Sequence, residues 1–306
     1  VLCLVDMWQV NKRYLYDDMF VEKSVRDTPI QMTATDRQIL QDKSLDYRVL
    51  NLASNTFNEN ETSYFHKSIG GYHAAKLRRY QEMIDEHIAP EMQRMMPAIT
   101  QAAGDMTKVN GDSLFPIINM LNTKYFIIGL QSGQTVPIHN PYALGNAWFV
   151  DKLIYVDNAN EEIERVVKID LKHEAVADKK FAEQLGKAVV QGSNASVVMK
   201  SYAPNHLVYQ TKSDRGGVLV FSEIYYPGWT ATVDGQPVEL GRVNYILRAI
   251  NIKPGTHEVV LDFHPTSIRK TETVAYVSYG VLVLLIALGF FFEWRKRKGG
   301  AIASGE

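Results

Sequence analysis

The sequence has almost no cysteine. Cys3 is the one thiol in 306 residues, which excludes disulfide staples and cysteine-built zinc sites. It also lacks a charge of one sign: 33 Lys and Arg stand against 34 Asp and Glu, so no global field draws nucleic acid or a polyanion. The eight histidines form no H-E-x-x-H or comparable pair, and no P-loop, calcium loop, dinucleotide fingerprint or G-x-S-x-G occurs. The opening "VLCLVDMW" has no basic region of a signal peptide, and with Val1 in place of Met it reads as a piece of a longer chain. Acidic pairs do occur, at Asp17-Asp18, Asp85-Glu86 and Glu161-Glu162. A glycosidase needs two carboxylates at a set separation that sequence does not give, and solvated helix faces and caps are the plainer account of such pairs. The reading therefore expects no cofactor, no metal and no nucleic-acid partner.

What is present is one long apolar run. From Val274 to Phe292, "VAYVSYGVLVLLIALGFFF" passes nineteen residues without a charge, and at about 1.5 Å per residue it would cover roughly 28 Å, the depth of a bilayer core. Tyr276 and Tyr279 at one end and Trp294 at the other suit the two interfaces. "RKRK", Arg295 to Lys298, follows directly. The positive-inside bias then predicts a transmembrane helix over 273–294, a cytoplasmic tail over 295–306 and the bulk of the chain on the outer side of the membrane. Residues 1–9 read as the end of a preceding transmembrane helix, with Trp8 at the interface and Asn11 to Arg13 in water.

Between these ends the fold class expected is α+β: an α/β region over 10–170, then an all-β sandwich of jelly-roll or immunoglobulin-like type over 171–268. Thr35 or Asp36 is a candidate helix cap. "YRVLNL" (47–52), "KYFII" (124–128) and "NAWFVDKLIYVDN" (146–158) read as strands of one small sheet, with a turn at Asn122 and Asn158 capping "EEIERVVKI". Leu77, Tyr80, Ile84 and Ile88 form one helical stripe, which Pro90 must break or restart. Met92, Met95 and Met96 belong to a core or a contact surface. From about Glu174, short β-type runs alternate with "PN", "DRGG", "YPG", "DG" and "KPG" turns. In the last run Val259, Leu261 and Phe263 face inward with His257, and Asp234-Gly235 suits a type I′ hairpin turn.

Two stretches are candidates for binding. In "SEIYYPGWTATVDGQPVE" (222–239), Trp229 shares a strand face with Ala231 and Val233, a core position that could also serve as a ligand platform, while one of Tyr225 and Tyr226 must point outward. In "SIGGYHAAKLRRY", Gly70, Gly71 and Tyr72 feed a helix start flanked by Lys67, Lys76, Arg78 and Arg79. Free N–H groups there would favour an anion such as a lipid phosphate; a solvated basic face is the plain alternative.

The stretch "SEIYYPGWTATVDGQPVE…NYILRAINIKPGTHEVVLDFHP", together with "SYFHKSIGGYHAAKLRRYQEMI" and "LNTKYFI", resembles the outer C-terminal region of YfhO-family bacterial membrane proteins in the form common among Bacteroidetes. The resemblance implies a multi-spanning core similar to GT-C-type glycosyltransferases, a polyprenyl-phosphate sugar as donor, a cell-envelope glycan as acceptor, and catalytic residues near N-terminal membrane helices that are not in this stretch. Partners implied are the lipid bilayer and the remaining transmembrane core. A non-catalytic carbohydrate-binding or envelope-interaction module on a membrane stalk is the alternative.

Overall fold

The computed structural model describes residues 2–187 and 195–302. They form two compact units, Val1–Asn146 and Ala147–Glu306. The division falls well before the expected boundary at 170, because "NAWFVDKLIYV" is two strands rather than one: β4 (Ala147–Val150) pairs with β9 (Gly217–Ile224), and β5 (Lys152–Val156) pairs with β6 (Glu174–Asp178).

In the first unit, β1 (Arg48–Asn51) and β2 (Thr123–Gly129) run parallel, and β3 (Thr135–His139) lies antiparallel to β2. Asn122 enters β2 with φ of 54°, the left-handed turn that an Asn side chain tolerates. The helix Ala34–Ile39 is capped neither by Thr35 nor by Asp36 but by Thr33, whose hydroxyl accepts from the Asp36 amide while the Asp36 carboxylate accepts from the Thr33 amide. This reciprocal box needs an acid three residues after a hydroxyl, and Thr33 and Asp36 have that spacing.

The long amphipathic helix does not stop at Pro90. Its segments Arg78–Met83 and Ala89–Gln101 are joined by a π turn, Ile84–Ile88, with the Ala89 amide donating to the Ile84 carbonyl. A widened turn accommodates a residue that has no N–H and a ring needing room. Ile84, Ile88, Met95 and Ile99 are buried, whereas Leu77 lies before the helix and is exposed. Glu91, fully buried, accepts from the amides of Ile117 and Ile118 at 3.0 Å and so caps the helix Pro116–Met120; burial pushes its carboxyl up to about 8.

The second unit carries two antiparallel sheets. β7 (Ser196–Ala203), β8 (His206–Ser213), β10 (Trp229–Val233), β11 (Gln236–Val238) and β14 (Gly255–Phe263) make the first, in the order β11-β10-β14-β8-β7. β12 (Gly241–Val243), β13 (Leu247–Ile252), β9 and β4 make the second, in the order β12-β13-β9-β4. Tyr209, Val259 and Leu261 from one sheet and Leu219, Phe221 and Ile250 from the other share one buried cluster. The turn between β10 and β11 has φ of 50° at Asp234 and 75° at Gly235, the two positive values a type I′ turn requires. β12 escapes the sequence because it is three residues long, too short to show alternation, although the turn that follows it uses Asn244 with φ of 49°.

Beneath the second sheet, Glu162 in the helix Ala159–Val166 is fully buried; it accepts from Arg242 Nη2 at 2.9 Å and from the Tyr245 amide at 3.1 Å. Asn158 caps that helix as expected. After β14 the chain enters a helix that runs from Thr266 to Ile302, longer at both ends than the expected 273–294; residues 303–306 of the expected tail lie outside the described residues. The opening helix, Leu2–Tyr14, continues past the expected residue 9, and Leu4, Met7 and Trp8 are exposed.

Removing one partner of a buried pair leaves the other charge uncompensated. Glu162→Ala is therefore expected to destabilise the second unit by about 3–5 kcal/mol, measured by denaturant unfolding. At the β10–β11 turn, His257 Nδ1 lies 2.6 Å from Asp234 Oδ2. The hydrogen bond to Asp234 raises the His257 pKa above its ordinary value, and the same contact lowers that of Asp234. The pair's contribution is fully present below the unfolded His pKa, is lost as pH rises through the folded one, and is lost again as pH falls through the folded Asp value. A plateau between roughly pH 4 and 6.5 is expected, and His257→Gln should remove the alkaline decline in the unfolding midpoint.

Candidate functional site

The first unit holds an open groove of about 610 Å³. Its floor is set by Gly70 and Gly71. A Cβ on Gly70 would lie 2.1 Å from the Thr56 carbonyl oxygen, and Gly71 has φ of 98°. The chain is tied down there: the Gly70 amide donates to Ser68 Oγ at 2.9 Å, Gly71 to the Thr56 carbonyl at 2.7 Å and Tyr72 to the Glu59 carbonyl at 3.0 Å. These amides are spent within the protein, and the helix starts only at Arg78. The expected anion cradle, free N–H groups of a Gly-Gly step opening directly into a helix, is therefore not formed.

The basic residues are dispersed accordingly. Lys67 Nζ donates to Asp46, whose side chain is buried and also accepts from Asn146 at 3.2 Å. Arg78 pairs with Glu82 at 2.9 Å, and Arg79 follows it in the same helical turn. Lys76 alone of the four lines the groove, its ammonium 5.4 Å from the ring centre of Phe57. The groove thus gathers Gly70, Gly71, Tyr72 and Lys76 from the expected set.

It adds residues that the sequence did not assign to binding. Tyr64, His73, Leu77 and Tyr80 join Tyr72 and Lys76 in the lining. Tyr64 and Tyr72 are 53% and 59% exposed, enough to offer ring faces. Tyr80 donates its hydroxyl to the Ile69 carbonyl at 2.5 Å, and burial pushes that phenol up to about 12. Exposed aromatic faces beside short polar groups such as Asn60 and Ser63 can stack a ring and bond its hydroxyls. The available signal was the recurrence of Tyr64, Tyr72 and Tyr80 around the Gly-Gly step, which periodicity alone does not distinguish from core.

The other expected residues belong to the second unit. Trp229 is half-buried against the sheet core, with the Arg248 guanidinium 3.8 Å above its ring centre and Phe263 at 5.2 Å. Tyr225 packs edge-on to Phe181 at 5.8 Å, and Tyr226 is the exposed member of the pair. Arg248 on its ring makes Trp229 a packing residue here. Among the described residues no cluster of three or more metal-ligating side chains occurs.

Residues 163–274 match the sequence model of a family described as bacterial membrane protein YfhO. The match takes in most of the second unit and the first turns of the long helix; it does not extend over the first-unit stretches expected to share it. No curated protein and no solved structure matches the chain.

Gly70→Ala is expected to lower the stability of the first unit by about 2 kcal/mol or more through overpacking. Lys67→Ala should also destabilise it, by about 2 kcal/mol, since Asp46 then remains buried with less compensation. Lys76→Ala, at a half-buried position where it loses the contact with the Phe57 ring, should cost less, about 0.5–1 kcal/mol. Thermal unfolding of the three variants side by side checks the order.

Proposed function

We propose that this chain is the membrane-anchored outer part of a YfhO-like protein related to GT-C-type glycosyltransferases. In this role it positions a cell-envelope glycan as acceptor, while a polyprenyl-phosphate sugar reacts at residues outside this stretch. The observation that carries the reading is continuity: the YfhO-matching region passes unbroken from β14 into the one helix among the described residues that is long and apolar enough to span a membrane, Thr266–Arg295. The two sheets of the second unit, read as a sandwich, would stand directly on that anchor. The basic run from Arg295 supports a cytoplasmic C-terminus in the inner membrane, and the helix Leu2–Tyr14 is read as the end of the preceding span.

The groove of the first unit is the proposed acceptor contact, and its exposed Tyr64 and Tyr72 also favour the second reading, a non-catalytic carbohydrate-binding module. Each stacked ring is worth about 0.5–1.5 kcal/mol. In the full-length protein, Tyr64→Ala with Tyr72→Ala should lower sugar incorporation into the envelope glycan about tenfold at unchanged protein level. Unchanged incorporation contradicts the acceptor role. A glycan array probed with the chain in nanodiscs separates the readings: silence favours a part that works only with its membrane core, selective binding favours the module.

A further inference from the structure

We propose that a cleft at the carboxyl edge of β1 and β2, separate from the tyrosine groove, binds one uncharged, hydroxyl-rich ring of pyranose size. The short helix Glu61–Phe65 lies between the two sites: it gives Glu61, Thr62 and Phe65 to the cleft and Ser63 and Tyr64 to the groove. The parallel strands end here, with Asn51 beside Ile127, and β3 begins here at Thr135 opposite Gly129. Carboxyl ends of parallel strands are where open α/β sheets place their ligands, because the connections leaving them diverge and open a crevice. The cleft measures about 230 Å³, below the roughly 300–1,000 Å³ of sites for drug-sized ligands. That is room for a single ring and not for a chain.

The lining chemistry selects the ligand. Asp36, Glu61, Thr62 and Thr135 supply carboxylates and hydroxyls, while Phe65 and Ile127 supply an apolar surface. No Lys, Arg or His lines the cleft, so a phosphate or an anionic sugar would face two acids without a cation. A neutral pyranose has the complementary arrangement, with an apolar C–H face for Phe65 and outward hydroxyls for the acids.

Asp36 is set up as an acceptor. The amide and hydroxyl of Thr33 donate to its Oδ2 at 2.8 and 2.7 Å, and His66 Nε2 lies 2.9 Å from Oδ1. Burial alone would raise this carboxyl, but those hydrogen bonds outweigh it and hold the group below its ordinary range, so it is ionised near neutrality. A carboxylate offers about four lone-pair sites; three are used within the protein, which leaves one for a ligand hydroxyl. His66 and Thr33 fix the orientation in which it is offered.

The test uses the chain in nanodiscs with its isoleucine methyls labelled. Ile30 and Ile127 line the cleft and Ile250 lies in the second unit's core. Titration with D-glucose, D-galactose and D-mannose should shift Ile30 and Ile127 saturably for at least one of them, with a Kd of about 1–10 mM, and leave Ile250 in place. Glu61→Gln at the exposed rim and Thr135→Val should each weaken that binding about fivefold to tenfold, and D-glucuronate should shift neither methyl. Tyr64→Ala should leave the titration unchanged, which separates this site from the groove. Unmoved methyls for all three hexoses, equal binding of glucuronate, or unaltered affinity in folded Glu61→Gln would each overturn the proposal.

Discussion

The constraint to which the second unit answers is the solvent that the helix Thr266–Ile302 requires. Val281 to Ile286 and Phe290 to Phe292 are all exposed along it, and none of its apolar window is buried within the protein. Burying a Val, Leu, Ile or Phe side chain is worth about 1.5–3 kcal/mol, so a dozen of them left in water would cost on the order of 20 kcal/mol, more than the whole stability of an ordinary domain. A bilayer removes that cost without any protein partner. The backbone is satisfied within the helix, and the hydroxyl of Ser278 donates to the Val274 carbonyl at 2.8 Å, so this polar side chain would also enter lipid with a partner.

The junction above the helix is built to be stiff. β14 ends at Phe263, three residues before the helix begins, and Phe263 pairs with Trp229 in register. Trp229 and Tyr226 pack on Phe263, and the His264 amide donates to the Gly228 carbonyl at 2.8 Å. The Tyr-Tyr-Pro-Gly-Trp cluster thus closes the end of the sheet from which the anchor leaves. Aromatic rings with one polar edge suit that position, since the same residue types settle at membrane interfaces.

Legibility followed the range of the forces involved. Strands β7 to β11, β13 and β14 could be read because alternation and turn chemistry are local, as at Asp234-Gly235. Thr33 as cap and the π turn before Pro90 were not, since each depends on which of several adjacent residues the backbone selects. The division after Asn146 was invisible because β4 finds its partner, β9, some seventy residues later. At the candidate site the loop carrying Gly70 to Lys76 stood out, but its meaning changed: the Gly-Gly amides serve Thr56 and Ser68, Lys67 serves Asp46, and what faces solvent is tyrosine. The Asp36–His66 contact joins residues thirty positions apart, a separation that no local pattern spans.

A nitroxide scan from Thr273 to Trp294 in lipid bilayers, read by oxygen and nickel-chelate accessibility, tests the membrane claim most directly. Immersion depth should rise smoothly to a single maximum near Val283 and return to the interface at both ends. Depth oscillating with a period near 3.6 residues, as for a helix lying on a surface or against protein, would contradict it.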